Sequence, residues 1–413
     1  MVINNDFRKI VNNWISLTLL QAGNYVVPLI LTPYLIINLG IESFGLLSFA
    51  LALNVFFRAL VSYGFDLTGT KLIAEFSSNS VKVSEIFQDI IFSKISILVL
   101  CFLSLIGLLS IVPTFQEQKY LLLAFFTLVI ADALFPVWLY QGMQNMREIT
   151  IFKLSGRFSY VALTMYFVND SNDIIYVPLI EGFIAIIISI MSLFWGVRKF
   201  SLTLKLPTLS RVISMLKSSW HVFISKVAVL FYTRFNVILL GMLTNPIVVG
   251  YYSVAENIYM AIRAMFNPII QAIFPYLSKS KTKDPEKYKR LVRLSFCFVI
   301  TSLCFLSALL YLIGPYILVF LTDSHEGNIQ SILSIFSICL IFSVGGFLST
   351  ILIIEGKMKT LSKVTGYTVI VNLILIYPLT VNFGAWGVSV CFLIVQIFHF
   401  IMQLFFNRGV LKK

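Results

Sequence analysis

Two arginines, Arg58 and Arg263, occupy equivalent places in the two halves of the chain. When residues 45–59 are aligned with residues 250–264, the arginines coincide, and so do a glycine, a serine and two alanines around them. Both segments are otherwise apolar enough to lie in a membrane, where a charge at the bilayer centre costs about 2.5–3.5 kcal/mol. Intramembrane arginines therefore normally face a protein interior or a water-filled cavity. The duplicated arginine predicts a cationic site between two related halves, which is typical of transporters.

Further polar side chains in the apolar segments extend this predicted site. Asn54 lies one helical turn before Arg58, and Asn267 lies one turn after Arg263, so each amide shares a helix face with an arginine. The residues predicted to bind an anionic substrate are Asn54, Arg58, Lys226, Arg234, Arg263 and Asn267. Because guanidinium groups form forked hydrogen bonds with phosphate oxygens, this set favours a phosphorylated substrate.

Three acidic residues in the apolar segments are candidates for ion coupling, namely Asp132, Glu181 and Glu256. They are outnumbered by the basic residues of the same segments, which leaves a surplus of positive charge. The alternative interpretation is structural, with the charges joining helices as ion pairs or reaching out to the membrane surface. That alternative applies best to Lys94 and Glu181, which lie near the ends of their segments.

The composition is that of a polytopic, all-α membrane protein. Hydrophobic residues make up 59% of the 413 residues and charged residues 12%, with a mean hydropathy of +0.93. An ordinary soluble domain has about 25% charged residues. The apolar stretches predict twelve membrane-spanning helices, or eleven if the short and polar fifth one is not counted. The predicted spans are residues 10–37, 43–65, 90–112, 119–141, 151–168, 174–196, 219–242, 246–276, 291–314, 329–354, 362–380 and 384–406.

The lysines and arginines of the loops follow the positive-inside rule. With the N-terminus in the cytoplasm, these residues, including Lys153 and Arg157 around the start of the fifth span, fall on the cytoplasmic side, and Lys119 alone falls outside. We therefore expect both termini in the cytoplasm. The net charge of +13 is explained by this bias together with attraction to anionic membrane lipids, so it indicates no nucleic-acid partner.

The duplication extends beyond the arginines and suggests two lobes. Cys101-Phe-Leu-Ser104 in the third span matches Cys304-Phe-Leu-Ser307 in the ninth. Six spans per repeat is an even number, so both copies cross the membrane the same way up. We expect an N-terminal six-helix lobe over residues 1–196, a basic cytoplasmic linker over 197–218 and a C-terminal six-helix lobe over 219–413.

The sequence has no motif typical of an enzyme or a metal site. The five cysteines fall in apolar spans without metal-ligand spacing, and we expect them to pack as small core residues. His221, His325 and His399 are scattered, and we expect structural or surface roles for them. No phosphate-binding glycine loop and no hydrolase motif is found. We expect no enzymatic activity, no metal and no cofactor.

Several stretches resemble a known transporter family. Residues 13–50 and 62–77 are similar to its opening helices, and residues 136–153, PVWLYQGMQNMREITIFK, to the exit of its fourth helix. Residues 372–390, NLILIYPLTVNFGAWGVSV, resemble its eleventh and twelfth helices. The family is that of the Wzx-type O-antigen flippases, in the polysaccharide transporter branch of the multidrug, oligosaccharidyl-lipid and polysaccharide (MOP) superfamily. The sequence departs from the family at Asn236, where relatives often have an acid.

The resemblance implies a fold, a substrate and a location. The fold would have two six-helix lobes around a V-shaped central cationic cavity that opens alternately to each side. The substrate would be an undecaprenyl-diphosphate-linked O-antigen repeat unit, moved from the cytoplasmic to the periplasmic leaflet of the bacterial inner membrane. Partners would include membrane lipids, the O-antigen polymerase and the chain-length regulator, and the protein would act as a monomer.

Two other functions are weighed against the flippase. A cation-coupled multidrug exporter of the same superfamily would need buried carboxylates for cation exchange, whereas bases are in excess here. An O-antigen polymerase, which is an enzyme, would need a large periplasmic loop with catalytic arginines. The predicted outer loops are short and hold one lysine in total.

Overall fold

The computed structural model describes the backbone of residues 2–203, 205–322 and 327–411. It describes the side chains of these residues apart from the following: residues 2–19, 22, 24–26, 29, 232, 267, 268, 271, 272, 275, 282, 283, 320–322, 327 and 328. All regular secondary structure within the described ranges is helical, which confirms the predicted all-α class.

The helices follow one another through short connections. The helices before residue 200 are α1 (Val2–Ser62), α2 (Phe65–Glu75), α3 (Ser80–Ile111), α4 (Pro113–Glu117), α5 (Lys119–Leu134), α6 (Val137–Gly142), α7 (Met146–Phe167), a 3₁₀ turn (Ser171–Ile175) and α8 (Tyr176–Lys199). Those after it are α9 (Leu209–Thr233), α10 (Phe235–Leu243), α11 (Pro246–Ala264), α12 (Phe266–Lys283), α13 (Pro285–Thr322), α14 (Gly327–Phe342), α15 (Gly345–Ile354) and α16 (Met358–Leu411).

Several of these helices are long and apolar enough to cross a membrane. Among the described residues there are seven, or eight if α9 and α10, bent by 47° at their junction, are taken as one span. The 61 residues of α1 and the 54 of α16 far exceed the ~20 that one crossing needs. Each of these two is interrupted by a glycine in the left-handed region, Gly40 at φ 81° and Gly384 at φ 54°. The protein is therefore a polytopic membrane protein, while the count of twelve spans stays a prediction.

The contacts within the chain define two compact units. Unit 1 consists of residues 1–39 and 50–230, and unit 2 of residues 40–49 and 231–413. The predicted lobe boundaries at residues 196 and 219 stay a prediction, since these units are defined by contacts alone.

Aromatic residues pack together in the core of each unit. In unit 1, the buried Trp138 of α6 packs against Phe87 of α3, with 5.6 Å between the ring centroids. In unit 2, Phe336 of α14 contacts Tyr259 of α11 at 5.3 Å and Phe392 of α16 at 5.5 Å. These contacts fix the helices that carry the charged side chains.

Candidate functional site

Charged residues of the predicted site lie at breaks between helices. Arg234 connects α9 to α10, Arg263 precedes the last residue of α11, and Asp132 lies in the last turn of α5. Irregular backbone at membrane depth is tolerated where it is buried in protein or lines a cavity. Transporters commonly form their binding sites at such discontinuous helices.

In unit 1, Arg58 is compensated by an acid from another helix. Its Nε donates to Oδ2 of Asp132 over 2.6 Å, and about a third of each side chain is exposed. The same aspartate is also held through its main chain, because Nζ of the buried Lys94 donates to its carbonyl oxygen over 2.6 Å. Lys94, predicted to be structural, thus lies beside the Arg58 pair.

The proline at position 136 explains the hydrogen bond from Lys94 to the Asp132 carbonyl. In a continuous helix the carbonyl of Asp132 would accept from the N–H of residue 136, but residue 136 is a proline and has none. A buried carbonyl left without a donor is unfavourable. The ammonium of Lys94 supplies that donor and so fixes the break between α5 and α6.

We expect Lys94→Met to lower the free energy of unfolding by about 1–3 kcal/mol, because it leaves the Asp132 carbonyl without a donor. Thermal unfolding of the purified protein in detergent measures this. The matched control is Lys82→Met on the same helix, which removes an exposed pair with Glu85 and should cost less than about 1 kcal/mol. Equal losses in the two variants would contradict the assigned role.

Lys226, a second predicted binding residue, also has an acid partner. Its Nζ lies 3.1 Å from Oδ2 of Asp66, which accepts from the Ser62 hydroxyl over 2.7 Å. Lys226, Ser62, Arg58 and Asp132 line a cavity of about 620 Å³ whose other walls are mostly apolar. That volume is within the range of small-molecule sites.

A second cavity in unit 1, of about 250 Å³, is lined by five charged side chains. They are Arg58, Asp132, Lys153, Arg157 and Glu181. The sequence assigned Lys153 and Arg157 to a loop region, but the structure places them in α7, facing the cavity of Arg58. Their spacing of four residues, with Tyr160 on the following turn, is the signal that could have revealed a common helix face.

Asn54, unlike Arg58, does not line either of these two cavities. Its side chain is 3% exposed, and its Nδ2 donates to the Phe125 carbonyl over 2.7 Å. The structure therefore gives Asn54 a contact between helices rather than a place in a cavity wall.

In unit 2, Arg234 lies near a buried acid of α11. Its Nη1 is 3.6 Å from Oε2 of Glu256, whose side chain is 3% exposed. Neither α9 nor α10 contains an acidic residue, so the partner of Arg234 comes from another helix. Asn236, two residues after Arg234, is fully buried and accepts a hydrogen bond from Asn372 over 3.2 Å.

Arg263 has a different environment from its counterpart Arg58. It lines a cavity of about 220 Å³ together with hydroxyl and amide side chains and His399. The other polar side chains in this wall are Ser343, Ser349, Thr365, Thr368 and Gln396. No carboxylate belongs to the described wall, and no acid lies within 4.0 Å of Arg263 among the described side chains. Asn267, predicted to accompany it, lies outside the residues whose side chains are described.

His399, which the sequence suggested was structural or on the surface, therefore lines the Arg263 cavity. Its Nδ1 is 3.2 Å from the Thr368 hydroxyl, and the neighbouring Tyr259 hydroxyl is 2.9 Å from that of Ser343. In the part of the chain that the structure describes, no three His, Cys, Asp or Glu residues come together as a metal site would require.

A helical membrane protein with charged cavities at helix breaks has the architecture of a transporter. The chain belongs to the polysaccharide biosynthesis protein family, whose model matches residues 10–281, well over half of it. It is 28% identical over 411 residues to a putative O-antigen transporter of Escherichia coli (strain K12), covering 98% of this chain and 99% of that protein.

Two solved structures share the fold. The lipid II flippase MurJ in its inward closed conformation has a TM-score of 0.76 at 14% identity, covering 96% of this chain and 87% of MurJ. An inward-facing multidrug resistance MATE family transporter of the MOP superfamily has a TM-score of 0.70 at 13% identity, covering 96% and 97%. The family match and the Escherichia coli relative confirm the predicted resemblance to O-antigen transporters, and these two structures confirm the fold.

Proposed function

We propose that this protein is a flippase for undecaprenyl-diphosphate-linked O-antigen repeat units, or for similar polysaccharide units. It would move them by alternating access from the cytoplasmic to the periplasmic leaflet of a bacterial inner membrane, with both termini in the cytoplasm. Membership of the polysaccharide biosynthesis family and a relative named as an O-antigen transporter support the substrate class. A diphosphate with a hydrated sugar head cannot cross the ~30 Å hydrocarbon core unaided.

The observation that carries this proposal is the environment of Arg263. A guanidinium remains charged in a protein, and a charge out of water needs a counter-charge. The described wall of its cavity offers hydroxyls, an amide and an imidazole, which can bind phosphate or sugar oxygens, but it offers no carboxylate. An anionic substrate would supply the missing negative charge.

The other charged residues take proposed roles that follow from their partners. Arg58, Arg234 and Lys226 each have an acid partner, so each would exchange that acid for the diphosphate as the substrate binds. Among the acids predicted for ion coupling, Asp132 and Glu256 face arginines. Glu181 lies in the wall of the smaller unit 1 cavity without an ion pair among the described side chains, and we assign proton relay to it first.

The ion pairs and the named relatives weigh against the two alternative functions. A cation-coupled drug exporter needs carboxylates that are available to cations, whereas two of the three candidates, Asp132 and Glu256, are already paired with arginines, which leaves Glu181. An enzyme such as the polymerase finds no support among the relatives, which are named as transporters and flippases. The polymerase and the chain-length regulator remain proposed partners in glycan assembly, and we propose that the flippase itself is a monomer.

The test is complementation of a strain that lacks this gene but keeps its glycan assembly genes. The Arg58→Ala plus Arg263→Ala variant should fail to restore the surface lipopolysaccharide ladder. We expect transport to slow at least about a hundredfold, since each charge-assisted contact contributes about 1.5–3 kcal/mol. Adding Asp132→Asn removes the carboxylate that Arg58→Ala would leave unpaired, so the loss should persist in a protein of normal abundance.

The matched control is Arg147→Ala plus Arg290→Ala, which removes one exposed arginine from each half. It should restore the full ladder. A full ladder from the Arg58 and Arg263 variant at normal protein level would show that these arginines do not bind the substrate.

A further inference from the structure

A cavity of about 440 Å³ in unit 2 is separate from the Arg263 cavity and has no role in the transport scheme. Its polar wall consists of Lys281, Tyr288, Lys289, Glu355 and Lys357. Gly409 and Val410, near the end of α16, complete it. The wall thus combines α12, α13, the turn after α15 and the end of α16.

The cavity lies where several membrane-crossing helices begin or end. The candidate spans Pro285–Val319 and Ile329–Ile354 each have one end at this wall, and Met358–Leu411 has both of its ends there. The ends of apolar helices mark the boundary between the hydrocarbon core and the lipid headgroups. The cavity is therefore at headgroup depth.

Positive charge is in excess around the cavity. Nζ of Lys281 is 4.0 Å from Glu355, and Nζ of Lys357 is 3.9 Å from it, both too long for a hydrogen bond. Lys281 also donates to the Ile354 carbonyl over 2.7 Å. Lys289 has no acid within 4.0 Å among the described side chains. The wall thus contains one carboxylate and three ammonium groups.

A buried hydroxyl in the same wall has no hydrogen-bond partner. Tyr288 is 4% exposed, and its hydroxyl makes no hydrogen bond within 3.5 Å to any described group, with the Glu355 carboxylate as its acidic neighbour. A buried donor without an acceptor costs about 1–3 kcal/mol. An acceptor entering the cavity would remove that cost.

We propose that this cavity binds the phosphate group of an anionic lipid headgroup. The ammonium groups of Lys289 and Lys357 supply the charge, and the Tyr288 hydroxyl donates to a phosphate oxygen. Basic pockets at the ends of membrane helices are suited to such headgroups. The inference does not depend on the proposed flippase activity, because no residue of the transport cavities takes part.

The test measures lipid binding to the purified full-length protein in detergent by native mass spectrometry. Phosphatidylglycerol is the probe, and diacylglycerol, with the same tails but no phosphate, is the reference lipid. Glycerol 3-phosphate, added as a competitor, distinguishes a lipid phosphate from a soluble one. If glycerol 3-phosphate displaces phosphatidylglycerol at equal concentration, the cavity binds phosphate but its natural ligand is a soluble phosphate rather than a lipid.

Lys289→Gln plus Lys357→Gln should weaken phosphatidylglycerol binding about 30-fold and leave diacylglycerol binding unchanged. Tyr288→Phe, which keeps the packing of the ring, should weaken it about fivefold. The matched control is Lys287→Gln plus Lys359→Gln, which removes two exposed lysines outside the cavity wall with the same change in net charge.

Two results would overturn the proposal. One is unchanged binding in both cavity variants. The other is an equal loss in the Lys287 and Lys359 control, since binding would then follow the diffuse surface charge rather than this cavity.

Discussion

Replacing Gly45 with alanine is expected to destabilise the protein by about 3 kcal/mol or more, although only one methyl group is added. In unit 2, residues 40–49 pack closely against the start of α11. A β-carbon at Gly45 would lie 1.9 Å from the carbonyl oxygen of Pro246, and one at Gly250 would lie 2.4 Å from that of Ile41. Both neighbours are backbone atoms, which cannot turn away as a side chain can. Gly250→Ala should therefore cost a similar amount.

The same substitution elsewhere gives matched controls of opposite sign. A β-carbon at Gly107 in α3 or at Gly366 in α16 would meet nothing within 4 Å. Alanine at either position should stabilise by about 0.5–1 kcal/mol, because it reduces the freedom of the unfolded chain. Thermal unfolding in detergent compares all four variants. Equal stability of the Gly45 and Gly107 variants would contradict the close approach of Gly45 to the start of α11.

Replacing Arg234 with alanine is expected to cost about 3 kcal/mol, because the carboxylate of Glu256 would remain buried without its cationic partner. The glutamate side chain is 3% exposed, so water cannot replace the guanidinium. Thermal unfolding in detergent again measures the loss. Adding Glu256→Gln should recover most of it, since no charge is then left unpaired.

The same pair of variants separates a structural role from a transport role. If Arg234 binds the diphosphate, the Arg234→Ala plus Glu256→Gln protein will be stable but will not restore the lipopolysaccharide ladder. A stable double variant that restores the ladder fully would restrict Arg234 to holding α10 against α11. A double variant as unstable as Arg234→Ala alone would contradict the assigned ion pair.

Much of the architecture could be predicted from the sequence because it follows from composition and local spacing. Long apolar stretches give the all-helical membrane class, and the repeated arginine gives the polar interior of each half. The acid partners could not be predicted. Asp132 is 74 residues away from Arg58 along the chain, and Glu256 faces Arg234 from another helix. Such pairings depend on which helices pack together, and the periodicity of a single helix gives no information about that.

For other residues of the sites, the sequence led to a different prediction from what the structure shows. Lys153 and Arg157 near the start of an apolar stretch suggested a loop, because charge at a span end usually marks the membrane surface. Gly45 and Gly250 were matched as repeat positions, and only the structure brings them together. His399 stood alone in an apolar span, so nothing nearby in the chain predicted its place beside Thr368.

The most direct test of the central claim is the leaflet in which lipid-linked repeat units accumulate. Spheroplasts of the deletion strain and of the complemented strain would be treated with a membrane-impermeant reagent that oxidises exposed sugars, and the lipid-linked fraction would then be analysed. We predict that single repeat units accumulate in the deletion strain and are protected from the reagent, and that the wild-type gene makes them accessible. Repeat units that are equally accessible without this gene would contradict its assignment as the flippase.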